Sequence, residues 1–222
     1  MSTKDWKTLL KKSVDEFCAF LIEKGIKCTV EGSGEYFVQI RTTYPIKIYS
    51  NSNGDRRIVV EGRPGPAEKA RLISLWEEFS GRSFKGVNIF VDGSCRGQVS
   101  SYAAVIIENG VVIGMISGCF RDNAGMRNVA GEIVAVEKAV DFCLKKSITS
   151  VKIHYDYEGL CGWAQEYWQA KTPRTIEYRK HMREISGRLS IKWVKVKAHS
   201  GSSYNEMADK LAKKALLECK LV

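Results

Sequence analysis

The 222-residue sequence has no long apolar run; nothing in it approaches the ~18 consecutive apolar residues of a membrane span. Met1 to Lys12 carries five charged side chains and no apolar h-region, so no secretory signal is expected there. No two of the seven cysteines (Cys18, Cys28, Cys95, Cys119, Cys143, Cys161 and Cys219) stand in CxxC spacing, and their number is odd. A zinc ribbon or a disulfide framework is therefore not expected, and the pattern reads as scattered reduced thiols in a cytoplasmic protein. There is no internal repeat and no low-complexity segment. Acidic residues are in deficit: 25 Asp and Glu stand against 35 Lys and Arg, a net charge of +10. That surplus points to a polyanionic partner, of which nucleic acid is the commonest. What is present is the composition of an ordinary globular chain, 44% hydrophobic and 27% charged, enough to fill a core and too apolar for disorder.

The pattern changes once along the chain. Lys4 to Lys24 has helical periodicity, with Trp6, Leu9, Leu10, Val14, Phe17, Cys18 and Leu21 at three- and four-residue steps and Gly25 placed as a C-cap. Extended segments follow at Ile26–Glu31, Glu35–Thr42, Ile46–Ser50 and Arg57–Glu61, with a turn at residues 51–55. Pro66 opens a second helix whose buried side is expected to be Ala70, Ile73, Leu75, Trp76 and Phe79. Residues 1–80 therefore read as a small α+β domain and residues 81–86 as a linker. Residues 87–222 read as an α/β domain in the order β-β-β-α-β-α-α-β-α, a mixed five-stranded sheet flanked by helices. Its second and third strands, Tyr102–Glu108 and Val111–Gly118, pair as a hairpin around Asn109-Gly110.

Four acids in this second domain stand out by position. Asp92 is expected to end an apolar strand before Gly93-Ser94, and Asp156 to end another. Glu132 falls in the first turn of a helix, and Asp209 lies on the last helix beside Lys210, Lys213 and Lys214. Taken singly, these are a turn residue, a helix-dipole partner and surface charge. Taken together they matter, because ligand sites in open α/β sheets form at the carboxyl ends of strands. Carboxylates gathered there repel one another unless protonated or bridged by cations. Hard divalent cations favour such oxygen donors, and a pair of them supports phosphoryl transfer.

At this point the residues resemble a family. Val91-Asp92-Gly93-Ser94, Gly131-Glu132, Tyr155-Asp156-Tyr157-Glu158-Gly159, Val196-Lys197-Ala198-His199-Ser200-Gly201 and Asn205-Glu206-x-x-Asp209 occur in the order and at the spacing of type 1 ribonuclease H. The stretch Arg127-Asn128-Val129-Ala130-Gly131-Glu132 looks most like a bacterial, clostridial-type branch. The resemblance spans about Val87 to Leu217. It implies cleavage of the RNA strand of an RNA–DNA hybrid, with two Mg²⁺ or Mn²⁺ ions held by Asp92, Glu132, Asp156 and Asp209. It implies a role for His199 in proton transfer or product release, and substrate contacts from Gly93, Ser94, Asn128, Gly131, Asn205 and Glu206. The basic helical protrusion of some members is not expected here. His154 is read as core packing.

The N-terminal domain resembles, in element order and size, the TATA-binding-protein-like domain of bacterial type 3 ribonuclease H. Strand alternation places Gln39, Arg41, Lys47, Tyr49 and Arg57 on one sheet face, where cations and an aromatic ring suit phosphate contact and stacking; an ordinary solvated face has the same composition. Residues 1–85 carry 15 basic and 11 acidic side chains and residues 86–222 carry 20 and 14, so both domains share the excess. The expected protein is a monomeric, cytoplasmic endonuclease with no membrane or protein partner. The alternatives are an inactive hybrid or duplex binder, or a resolvase- or transposase-like DNA nuclease on the same fold.

Overall fold

The structure, a computed structural model, describes residues 5–51, 56–81, 84–122, 125–196 and 203–220. The chain divides into two compact units, the first holding the described residues up to 81 together with Ser203, the second the described residues 84–196 and 204–220. Among the described residues no helix is long and apolar enough to cross a membrane.

The N-terminal unit runs α1 (Asp5–Glu23), β1 (Thr29–Ser33), β2 (Phe37–Arg41), β3 (Pro45–Ser50), β4 (Arg56–Val60) and α2 (Pro66–Phe79). The strands form an antiparallel sheet in the order β1-β2-β3-β4. Alternation sends Val38, Ile40, Ile46, Ile48, Ile58 and Val60 inward. They bury against Leu10, Val14, Phe17 and Leu21 of α1 and Ala70, Leu72, Ile73 and Trp76 of α2. Phe17 meets Trp76 edge-on at 5.0 Å. Gly25, at φ +76°, closes α1: its N–H reaches Ile22 O and the Ile26 N–H reaches Leu21 O. Leu72 replaces Leu75 on the buried side of α2. The expected turn at 51–55 lies mostly outside the described residues.

The second unit contains β5 (Val87–Arg96), β6 (Val99–Glu108), β7 (Val111–Arg121), α3 (Asn128–Lys145), β8 (Ser150–Tyr155), α4 (Glu158–Ala164), α5 (Pro173–Ile185), β9 (Ser190–Lys195) and α6 (Ser203–Leu217). The mixed five-stranded sheet has the order β7-β6-β5-β8-β9, antiparallel on the hairpin side and parallel from β5 to β9. Asn109 and Gly110 both take positive φ, as a two-residue hairpin turn demands. Val87, Ile89, Val91, Val151 and Ile153 bury with Ile133, Val136 and Val140 of α3. On the opposite sheet face Phe90 stacks on His154 at 4.3 Å and packs against Tyr204 of α6. Helices thus cover both faces. Residues 165–172 join α4 to α5 without a further helix.

The cysteines depart from expectation. Cys18 is joined to Cys28, ten residues on, and Cys119 of β7 to Cys219, one hundred residues on. Sequence spacing carried no sign of this, because the fold brings the Cα atoms to 5.4 and 6.1 Å, a separation that a disulfide spans. Cys95, Cys143 and Cys161 remain free.

Candidate active site

β5 does not end at Asp92, as the sequence led us to expect. It stays paired with β6 to Arg96↔Val99, whereas its parallel partner β8 follows only to Phe90↔His154. Asp92 therefore stands two residues past the last parallel pair, and Asp156 directly past the last residue of β8. Both occupy the carboxyl end of the central strand pair, where an open sheet leaves a crevice. Asp92 Oδ1 accepts the Gly93 N–H at 2.7 Å.

Glu132 arrives from α3. The helix begins at Asn128, so Glu132 lies in its second turn, buried, rather than in the first. Two glycines let α3 come this close. A Cβ on Gly131 would sit 2.0 Å from Ser101 O and 3.0 Å from Gly93 Cα, and one on Gly93 would sit 2.2 Å from Asn128 O. Gly93 and Gly131 thus set the backbone spacing that brings Glu132 beside Asp92. The chain enters α3 through Arg127, held at φ 57°, ψ −129°. Asp122 Oδ2 accepts the Arg127 N–H at 2.6 Å, and Ser100 Oγ donates to its carbonyl at 2.8 Å. These two buried groups fix a conformation that a non-glycine residue rarely adopts. They also set the direction in which Asn128 leaves the loop.

α6 supplies the fourth acid. Tyr204, Ala208, Ala212 and Leu216 form its buried stripe. Tyr204 Oη donates to Gly110 O at 2.7 Å and Ser101 Oγ to Ala212 O at 2.8 Å. Asp209, Glu206 and Asn205 lie off that stripe, partly exposed. Lys213 Nζ lies 2.7 Å from Asp209 Oδ1 and 2.8 Å from Oδ2, and Lys210 approaches Glu206 at 3.7 Å.

The four carboxyl groups sense one another. Burial, then the charge of Asp209, pushes Asp92 up to about 7, with Asp156 adding to the rise and the Gly93 N–H and Lys213 opposing it. Burial, then the charges of Asp156 and Asp92, pushes Glu132 up to about 8, and a hydrogen bond with Asp156 adds to this. Glu132 Oε2 is buried with no hydrogen-bond partner. Among the described residues no three acid, histidine or cysteine side chains already form a closed metal cage. The donor set nevertheless fits a hard divalent cation: it is all oxygen, it is underneutralised, and it contains an orphaned buried oxygen.

The remaining expectations divide. Ser94 stays in β5, its carbonyl 3.3 Å from Ser101 Oγ. His199 lies outside the described residues. His154 belongs to the core, its Nε2 2.9 Å from Asn88 Oδ1, and burial pulls it down to about 4. On the N-terminal sheet, register places Phe37 opposite Tyr49, Tyr49 opposite Arg57, and Gln39 opposite Lys47. Arg57 lies over the Tyr49 ring at 5.3 Å and Lys47 over the Phe37 ring at 5.0 Å. Lys47 and Arg41 are also paired with Glu61 and Glu31, at 2.8 and 2.6 Å. Sequence reasoning left out Phe37 and read Lys213 only as surface charge. Alternation with Gln39 and Arg41 marks the first, and the i,i+4 step from Asp209 marks the second.

Comparison with known proteins places this geometry in context. A family model for RNase H matches residues 84–217. A ribonuclease H of Neorickettsia sennetsu is 30% identical over 139 residues, covering 57% of this chain and 89% of the relative. One of Bartonella quintana is 29% identical over 143 residues, covering 60% and 91%. Among solved structures, RNase H1 of Halobacterium salinarum superposes with TM-score 0.53 at 19% identity, over 60% of this chain and 98% of that one. LC11-RNase H1, solved in complex with an RNA/DNA hybrid, gives TM-score 0.51 at 19% identity, over 60% and 97%. These structural likenesses show the fold, and the family match, which spans more than half of the sequence, shows the lineage: the chain belongs to the RNase H family.

Proposed function

We propose that this protein is an endonuclease that hydrolyses the RNA strand of RNA–DNA hybrids, with Asp92, Glu132, Asp156 and Asp209 as the ligands of two Mg²⁺ or Mn²⁺ ions. What supports this reading is the electrostatic coupling of carboxyl groups from β5, α3, the end of β8 and α6: burial and the charges of Asp209 and Asp156 push Asp92 up to about 7, and burial and the charges of Asp156 and Asp92 push Glu132 up to about 8. Such a cluster is costly to keep without a cationic partner. Bound divalent ions supply a lowered pKa for attacking water and charge stabilisation for the leaving oxygen of a phosphodiester.

The chain's own residues do the rest. Gly93 and Gly131 keep β5 and α3 close enough for Asp92 and Glu132 to share one centre. The turn clamped by Asp122 and Ser100 presents Asn128 beside it, and Asn128 contacts the hybrid in its minor groove, where the ribose 2′-OH distinguishes RNA. Gly93, Ser94 and Gly131 offer backbone groups to the RNA strand, and Asn205 and Glu206 border it from α6. His199 handles the proton of the leaving oxygen or the exit of product.

The N-terminal unit adds affinity for the hybrid through the sheet face of Tyr49, Arg57, Lys47 and Arg41, with Phe37 continuing the aromatic row. Its resemblance to the substrate-binding domain of type 3 ribonuclease H supports the same role. The test is cleavage by the full chain of three labelled substrates, hybrid, all-RNA duplex and all-DNA duplex, with Mn²⁺ supplied. Cutting confined to the RNA strand of the hybrid is expected. Equal cutting of all-DNA duplex would replace this reading with a resolvase-like one.

A further inference from the structure

We infer that Lys213 is a built-in counter-ion of the acid cluster, which holds Asp209 in the metal-free protein and competes with the incoming divalent ion for it. The inference rests on the proposed metal site and goes beyond it, because it assigns a residue that sets how readily the site loads.

Both oxygens of Asp209 are engaged by one ammonium group, at 2.7 and 2.8 Å. The pair is one helical turn apart on α6, so the geometry is native to the helix and needs no other element. The neighbours of Lys213 on the helix are directed elsewhere: Lys210 faces Glu206 and Lys214 faces Glu218, each at 3.7 Å.

The hold is replaceable. The side chains of Asp209 and Lys213 are 31% and 58% exposed, and solvent-exposed i,i+4 pairs are weak. A divalent ion brings twice the charge and reaches several carboxylates at once, so it can displace the ammonium. Lys213 then remains tethered one turn away as a free cation beside an arriving phosphodiester. It is a positioning residue: it acts through Asp209 and needs no contact with the scissile bond.

The test is calorimetric titration of the full-length, metal-free chain with Mn²⁺ alone, at fixed ionic strength. Lys213→Gln is expected to tighten Mn²⁺ binding about three- to tenfold, the range for removing one close but solvent-screened charge partner. Lys213→Arg is expected to stay near the unaltered chain, and Lys214→Gln to shift the affinity by less than about twofold. Unchanged or weaker binding by Lys213→Gln, or an equal gain in Lys214→Gln, would overturn the inference alone. Absence of any saturable Mn²⁺ binding that Asp92→Asn removes would overturn the metal-site reading with it.

Discussion

Ser101 Oγ donates a 2.8 Å hydrogen bond to the carbonyl oxygen of Ala212, joining the interior of β6 to α6. Ser101 is fully buried and stands opposite Ser94 in the β5 register, and Asp209 lies one turn before Ala212. The hydroxyl therefore helps to fix Asp209 against the strand that carries Asp92. Ser101→Ala is expected to cost about 1 kcal/mol of stability, the net worth of one buried hydrogen bond. It should also lower kcat more than it changes KM, because it moves a proposed metal ligand and no proposed substrate contact. Thermal unfolding with steady-state kinetics checks both; an unchanged kcat means that packing alone seats α6.

His154 gives a pH dependence. Its ordinary value is 6.5, and burial, with Lys152 nearby, pulls it to about 4 in the folded chain. Between these values the unfolded chain binds a proton that the folded chain refuses, so stability is full above about pH 6.5 and falls as the pH drops toward 4. The loss is on the order of 3 kcal/mol at the acid end. His154→Gln gives up the stacking on Phe90 and is expected to be less stable at pH 7.5. The gap between the two proteins should narrow toward pH 4.5 in urea unfolding. A constant gap contradicts a buried neutral histidine.

The Cys119–Cys219 bridge closes a loop of about one hundred residues and ties β7 to the chain just past α6. Loop-closure entropy alone assigns such a bridge about 4–5 kcal/mol. Cys219→Ser is therefore expected to lower Tm markedly under non-reducing conditions and to abolish the sensitivity of the second unit to dithiothreitol. Equal Tm values for oxidised and reduced unaltered protein would mean that the bridge carries no stability.

On the N-terminal sheet, Tyr49 and Arg57 form one row and Arg41 is held by Glu31. Arg57→Ala is expected to weaken hybrid binding under metal-free conditions and to flatten its salt dependence by about one phosphate contact. Arg41→Ala should do less, because its charge is already matched. Tyr49→Ala should weaken binding without changing the salt slope. Salt-titrated anisotropy with a labelled hybrid reads all three.

Much of this was legible in the sequence because the local signals agreed. The apolar strands of the second unit and the Asn109-Gly110 turn each have one good structural solution. Other features depend on information that no window contains. β5 runs through Gly93 because β6 keeps pairing and because α3 needs that glycine for close approach. Glu132 sits a turn deeper than expected because the loop before α3 ends at a strained Arg127. The cysteine pairs were hidden because tertiary proximity, not spacing, makes them. Phe37 and Lys213 were visible in principle, one by strand alternation and one by helical spacing. Each took its meaning only from the partner across the sheet or one turn back on the helix.

The proposed metal-dependent centre, built from Asp92, Glu132, Asp156 and Asp209, cuts RNA in a hybrid. Its most direct test is cleavage of a hybrid labelled on the RNA strand, by the full chain and by Asp92→Asn, over a Mn²⁺ titration, with the metal-free Tm of each. Metal-dependent cutting by the unaltered chain and its loss in Asp92→Asn are expected, with an equal or higher metal-free Tm for the variant, because one repelling buried charge is gone. Full activity in Asp92→Asn, or cutting by the unaltered chain that ignores chelator, would contradict this reading.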